Sequence, residues 1–237
     1  MDIFFQLACL YTNLKLPFKI EFFMNYHTPS NFSDACAIAA KSAGQTRFLA
    51  GGTDVLVQMR SDILTPDDLI DVKQIQGVKD IIQNKDGSWT LGIAVTGAEM
   101  SEHSEFNKAW PGLVEAADLI GSTQIQGRAT IIGNLCNGSP AADSVPAQIA
   151  AGATVSIMGP SGERIEAVEN IPTGPSETSL KKGEIISAIH IPARRQNTGD
   201  AYLRFIPRTE MDIAVVGCAV NLRLENDLIV EARVALG

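Results

Sequence analysis

The chain has 237 residues, enough to bury a sizeable core in one large domain or in two to three small ones. It is 45% hydrophobic and 19% charged, with a mean hydropathy of +0.08, an ordinary composition for a globular protein in water. The net charge of −8, with no run of Lys or Arg longer than two, argues against a nucleic-acid or anionic-membrane partner, and no stretch approaches the roughly 20 apolar residues of a membrane-spanning helix.

Residues 1–23 are apolar and aromatic but carry neither a basic leader nor a small-residue cleavage site. They read as an atypical N-terminal extension ahead of a domain that starts at Met24. Asn31 or Ser30 can cap a helix with Phe32, Ala35, Cys36, Ala39 and Ala43 on one face and Gly44 as its stop. A strand over Arg47–Ala50 then meets Gly51 and Gly52. Thr53 is positioned to cap the next helix, whose Val55, Leu56 and Met59 fall at helical spacing. A strand, a glycine turn and a helix start aim unpaired N–H groups at one point, where a phosphate binds well; a tight turn without a ligand explains the same residues equally. Leu69–Val72 reads as another strand.

A hairpin follows, Val78–Gln83 and Ser88–Ile93 around Asn84–Gly87. Thr96 with Glu99 spells a capping box. Trp110-Pro-Gly112 interrupts, and helical spacing resumes over Leu113–Ile120. Gly127–Asp143 reads as a long irregular loop rich in small polar residues, of a length more often functional than not. Ser144–Ala151 reads as a helix. Ala153–Met158 and Arg164–Ala167 form a hairpin, Ile171–Pro175 a loop and Gly183–Pro192 a strand. The remaining strands are Ala201–Pro207, Asp212–Leu224 and Leu228–Leu236, with a tight turn at Glu225–Asp227. No helix remains after them to cover their apolar face, so another chain or missing residues would have to do so.

The cysteines Cys9, Cys36, Cys136 and Cys218 form no Cys-x-x-Cys, and the only histidines are His27, His103 and His190. No metal site is expected, and sparse cysteines suit a reducing cytoplasm. Cys36 and Cys218 read as core residues. Asp54, Glu99, Asp143 and Glu210 could act as acids or bases by type, but each has a cap or surface role to fill, so no catalytic residue is assigned. The two glycine segments together could grip a dinucleotide from both sides.

Three ordered motifs carry a family resemblance: Ala50-Gly-Gly-Thr-Asp54, Thr130-Ile-Ile-Gly-Asn134 leading to Ser139-Pro-Ala-Ala-Asp143, and Arg208-Thr-Glu-Met-Asp-Ile-Ala-Val-Val216. From about Met24 to Gly237 the chain resembles the FAD-binding medium subunit of molybdenum hydroxylases, the group of xanthine dehydrogenase, carbon monoxide dehydrogenase and 4-hydroxybenzoyl-CoA reductase. The resemblance implies an α+β fold: a two-part FAD-binding domain of the vanillyl-alcohol oxidase/MurB type over 24–195, with subdomains of about 24–76 and 77–195. An incomplete C-terminal α+β domain would begin over 196–237, leaving Val215, Val216 and Val220 poorly covered. It implies that Leu49, Ala50, Gly51, Gly52, Thr53, Asp54 and Val55 line the FAD diphosphate through backbone N–H groups. Ala129, Thr130, Gly133 and Asn134 would hold the cofactor's other side, with Ile120 and Ile186 packing beside it. Asp143 would meet a polar moiety of the cofactor, and Arg204 stands where many members have lysine. Ile132 replaces the first of two motif glycines, and a β-branched residue excludes positive φ there. The cysteine-bearing insert of the 4-hydroxybenzoyl-CoA reductase branch is not seen.

The implied function is an electron-transfer subunit, passing electrons from [2Fe–2S] clusters on a small subunit to NAD, quinone or oxygen. Substrate would react at the molybdenum cofactor of a large subunit, in a cytoplasmic dimer of heterotrimers. The alternatives are a stand-alone FAD oxidase or MurB-like reductase, which needs its own substrate domain, and a non-catalytic nucleotide-binding module.

Overall fold

A computed structural model of the chain describes residues 24–209 and 211–237; the extension at 1–23, Cys9 and the candidate Glu210 lie outside the described residues. The first element group is β1 (Asn25–His27), α1 (Phe32–Lys41), β2 (Thr46–Leu49), α2 (Val55–Arg60) and β3 (Asp68–Asp71). Its strands form a parallel sheet in the order β1-β3-β2. All four residues of central β3 are buried, so its acids must be satisfied locally. Asp68 accepts from Ser42 Oγ (2.5 Å), His27 Nε2 (2.8 Å) and Asn25 Nδ2 (3.1 Å). Asp71 accepts from Tyr26 Oη (2.5 Å) and pairs with Lys73 Nζ (2.8 Å). Asn31 caps α1 as expected, through its side chain and Asp34 N–H. The stop is Ser42, whose N–H returns to Ile38 O, and not Gly44. Small residues Ala35, Cys36 and Ala39 let α1 pack between β3 and the next sheet.

That second sheet is antiparallel. It contains β4 (Ile81–Gln83), β5 (Trp89–Gly92), β6 (Thr154–Gly159), β7 (Gly162–Ala167) and β10 (Ile185–Ile191), in the order β4-β5-β10-β6-β7. Between its strands run α3 (Gly97–Glu102), α4 (Ser104–Ala109), α5 (Pro111–Asp118), α6 (Thr123–Gln126), α7 (Ile131–Cys136) and α8 (Ser144–Ala151). The Thr96–Glu99 capping box is present on both sides. The interruption expected at Trp110-Pro-Gly112 is present: non-helical Trp110 separates α4 from α5, and Pro111 occupies the first turn of α5, where its missing N–H costs nothing. His103 caps α4, its Nδ1 accepting from Phe106 N–H. His190 sits half-buried between Thr90 Oγ1 (3.2 Å) and Ser156 Oγ (2.8 Å), and burial lowers its pKa.

Two predicted loops are ordered differently. The segment 127–143 contains α7, capped by Thr130 Oγ1 accepting from Gly133 N–H (3.0 Å) and held by buried Ile131, Ile132 and Leu135. Ile171–Pro175 contains β8 (Pro172–Gly174), which pairs with β9 (Glu177–Thr178).

The last sheet is β11 (Thr198–Phe205), β12 (Val216–Glu225) and β13 (Leu228–Leu236), joined in chain order. Asn226 and Asp227 both take positive φ in the tight turn between β12 and β13. The expectation that no helix covers these strands is overturned. α5 and α8, from earlier in the chain, lie on one face, where Tyr202, Ala219 and Ala235 are buried. Docking is polar as well as apolar. Asp200 Oδ2 accepts from Leu113 N–H at the start of α5 (3.2 Å) and pairs with Arg194 (2.6 Å), whose guanidinium lies 4.4 Å from the Trp110 ring centroid. Arg204 Nη1 donates to Leu119 O at the other end of α5 (2.9 Å). The opposite face is open: Val215 and Val216 are exposed, Val220 is half-buried, and Cys218, expected in the core, is only half-buried.

Candidate cofactor site

Between the parallel sheet and the antiparallel sheet lies a cleft of about 750 Å³, within the range of small-molecule and cofactor sites. One wall is the turn after β2. The other is α7, with β10 beneath. The cleft runs on to Arg47 and Lys181–Lys182 at its far end. All predicted contact residues line it except Leu49, Asp143 and Arg204.

The glycine pair is explained residue by residue. A Cβ on Gly51 would stand 2.0 Å from the carbonyl oxygen of Arg128, so this glycine lets the two walls meet backbone to backbone. Arg128 Nε donates to Gly51 O (3.3 Å) across the same junction. Gly52 has φ +81°, a conformation open to glycine at little cost. The helix that follows is not capped as predicted. Asp54, not Thr53, takes the N-cap position, and its side chain makes no capping bond. Among the described residues, the N–H groups of Gly51, Gly52, Thr53 and Asp54 meet no acceptor, while they line the cleft. Four adjacent unpaired donors at the edge of a cleft are groups that an anion would satisfy. Burial raises the Asp54 carboxyl above its usual range, an effect opposed by a hydrogen bond with Asn137.

The α7 wall is fixed by buried polar groups. Asn134 Oδ1 accepts from Ser144 Oγ (2.7 Å) and Ser144 N–H (3.3 Å). Gln58 of α2 donates to Asn137 Oδ1 (3.3 Å), a second bridge between the walls. Ile132 is buried inside α7 and needs no positive φ. Leu49 is buried under the turn. Asp143 and Arg204 sit together at the end marked by Ile120: Arg204 Nη1 bonds Asp143 Oδ2 (2.9 Å), and Tyr202 Oη donates to Asp143 Oδ1 (3.0 Å). Burial pushes the Asp143 carboxyl up, and Arg204 and Tyr202 work against that shift. Burial and Asp143 both push the Tyr202 phenol up. No group of His, Cys, Asp and Glu among the described residues is arranged to hold a metal ion, and no helix among them is long and apolar enough to cross a membrane.

Sequence reasoning did not single out Gln58, Arg47, Ser144 or Gln148, and took Asn137 for a turn former only. Gln58 carried a usable signal, four residues after Asp54 on the same helix face. The others become neighbours of the cleft only through tertiary contact.

A cleft between two sheets, walled by a turn of unpaired N–H groups and a capped helix, is the arrangement of an α/β cofactor-binding protein. Comparison with known proteins agrees. Residues 18–194 match the family described as the FAD binding domain in molybdopterin dehydrogenase, and the chain belongs to that family. It is 34% identical over 216 residues to the xanthine dehydrogenase FAD-binding subunit of Escherichia coli O157:H7, covering 91% of this chain and 74% of the relative. The carbon monoxide dehydrogenase medium chain of Hydrogenophaga pseudoflava is 30% identical over 211 residues, covering 89% and 73%. The solved structure of carbon monoxide dehydrogenase from Hydrogenophaga pseudoflava superposes with a TM-score of 0.86 at 29% identity, over 90% of this chain and 74% of that one. The mixed α/β fold is therefore that of a carbon monoxide dehydrogenase FAD-binding chain.

Proposed function

We propose that this chain is the FAD-binding electron-transfer subunit of a molybdenum hydroxylase, working with a large molybdenum-cofactor subunit and a small [2Fe–2S] subunit. The observation that carries the reading is the row of unpaired N–H groups at Gly51–Asp54, facing a cleft of cofactor size. Those donors suit the FAD diphosphate. Ala129, Thr130, Gly133 and Asn134 form the facing wall, Ile120 and Ile186 supply apolar contact, and Leu49 and Val55 shape the turn. Asp143 and Arg204, closed on each other beside Ile120, form the polar end of the site. FAD, when bound, takes electrons singly and delivers them in pairs. The chain's own residues bind it, orient it and keep water from its faces. They include no assigned acid or base.

In this reading residues 24–195 are the two-part FAD domain of the vanillyl-alcohol oxidase/MurB type, divided near residue 76. Residues 196–237 belong to the C-terminal domain, and the complex is a cytoplasmic dimer of heterotrimers. The test is purification under native conditions. A flavin absorption spectrum and co-purification of a molybdenum-containing and an iron–sulfur chain are expected. Oxidation of an organic substrate by the isolated chain, or no flavin uptake after FAD is added, would overturn the proposal.

A further inference from the structure

We infer that Ser144 and Gln148, both fully buried behind α7, are positioning residues that turn the Asn134 amide so that its N–H groups face the cleft, where they meet an acceptor oxygen of the cofactor. The inference rests on the FAD reading above, but its chain of donors starts from the backbone. Ile131 C=O can only accept. Gln148 Nε2 donates to it (3.3 Å), which fixes which end of the Gln148 amide is nitrogen; the reverse orientation would set two oxygens against each other.

The second N–H of that amide donates to Ser144 Oγ (3.0 Å). Ser144 then uses its one hydroxyl proton toward Asn134 Oδ1 (2.7 Å). The backbone N–H of Ser144 points at the same oxygen (3.3 Å), so two independent donors mark it as the carbonyl end. The nitrogen of Asn134 is left without a partner among the described residues, and Asn134 lines the cleft. Ser144 and Gln148 are each 0% exposed, so water cannot substitute for either in turning the amide. The arrangement leaves Gln148 Oε1 buried with no partner among the described residues, a cost that packing alone does not account for.

The test is FAD titration of the deflavinated full chain, followed by quenching of flavin fluorescence. Ser144→Ala removes the shorter of the two bonds that hold Asn134 Oδ1, leaving the 3.3 Å backbone N–H alone, and is expected to weaken FAD by up to about fivefold, the loss of one ordinary hydrogen bond. In an Asn134→Ala background the same substitution should change nothing, because Ser144 acts through Asn134. Gln148→Met breaks the relay one step earlier. It should show the same pattern, and it serves the comparison if Ser144→Ala does not fold. Unchanged affinity in both variants, or an equal loss with and without Asn134, overturns the inference while the FAD reading stands. Failure of the unsubstituted chain to bind FAD removes both.

Discussion

Gly51→Ala is the smallest change that tests how the cleft is built. The added Cβ would lie 2.0 Å from Arg128 O, and ordinary contact begins at 3.4 Å, so the walls must part by roughly the difference, 3.4 − 2.0 = 1.4 Å. The obstacle is backbone on both sides, so no side-chain rotation relieves it. Overpacking of this kind costs about 1–3 kcal/mol. For a chain of this size that lowers the melting temperature by about 2–12 °C, taking about 2–4 °C per kcal/mol. Parting the walls also breaks the Arg128–Gly51 hydrogen bond and carries the N–H row away from Asn134. Gly52→Ala is the control. It strains a positive φ at a cost of about 1–2 kcal/mol, but the new atom meets only side chains, Leu49 Cδ1 at 2.9 Å and Leu56 Cδ1 and Cγ at 3.0 and 3.4 Å, and no backbone. Thermal melts and the flavin-to-protein absorbance ratio of the purified chains give both readouts. Gly51→Ala should lose both stability and flavin. Full flavin content with an unshifted melting temperature would refute this account of the junction.

Two further outcomes are expected. Arg204→Met strands the buried Asp143 carboxylate and should cost about 3–5 kcal/mol by urea denaturation. Arg204→Lys keeps the charge, and both Leu119 O and Asp143 are bonded here by the single nitrogen Nη1, so one ammonium can replace it and the loss should be smaller. The pKa of Asp68 is held below the usual carboxylate range, first by Ser42 and then by His27 and Asn25, against its desolvation. A depressed acid stabilises the fold above its unfolded pKa and loses that stabilisation as pH falls through the folded one. Asp68→Asn should therefore be less stable than the unsubstituted chain at neutral pH, with the gap closing in acid below the carboxylate range. Urea midpoints measured across pH check this, and a gap that widens in acid would contradict it.

Local signals were readable where a side chain answers its own backbone. Asn31, the Thr96–Glu99 box and the exact span of α8 and β13 follow from such signals. α7 was not legible because Gly133 and Asn134 sit inside it and read as loop residues; it is a helix because Thr130 caps it and three apolar side chains are buried. α2 shows the converse, apolar at helical spacing yet with no buried residue. The cover for the last sheet was invisible because α5 and α8 precede it by tens of residues, and nothing local to β11 announces them. At the site, the glycine pair was legible as a turn. Sequence could not show that Gly51 makes room for Arg128 while Gly52 alone needs the unusual dihedral. The polarity of Asn134 depends on Gln148, fourteen residues on, and belongs to tertiary structure.

The way β11 meets α5 works as a ruler. Asp200 and Arg204 are four residues apart on one face of the strand, about 13 Å at an extended rise. Leu113 and Leu119 mark off about 9 Å of helix, and the two side chains take up the difference. The acid reaches the end of the helix that welcomes negative charge, and the base reaches the opposite end. A slip of β11 by one residue would turn both groups to the wrong face, and a slip of two would carry both past their marks. The last sheet can therefore be read onto the cofactor half in only one alignment, and that alignment also delivers Arg204 to Asp143, the residue next to Ser144.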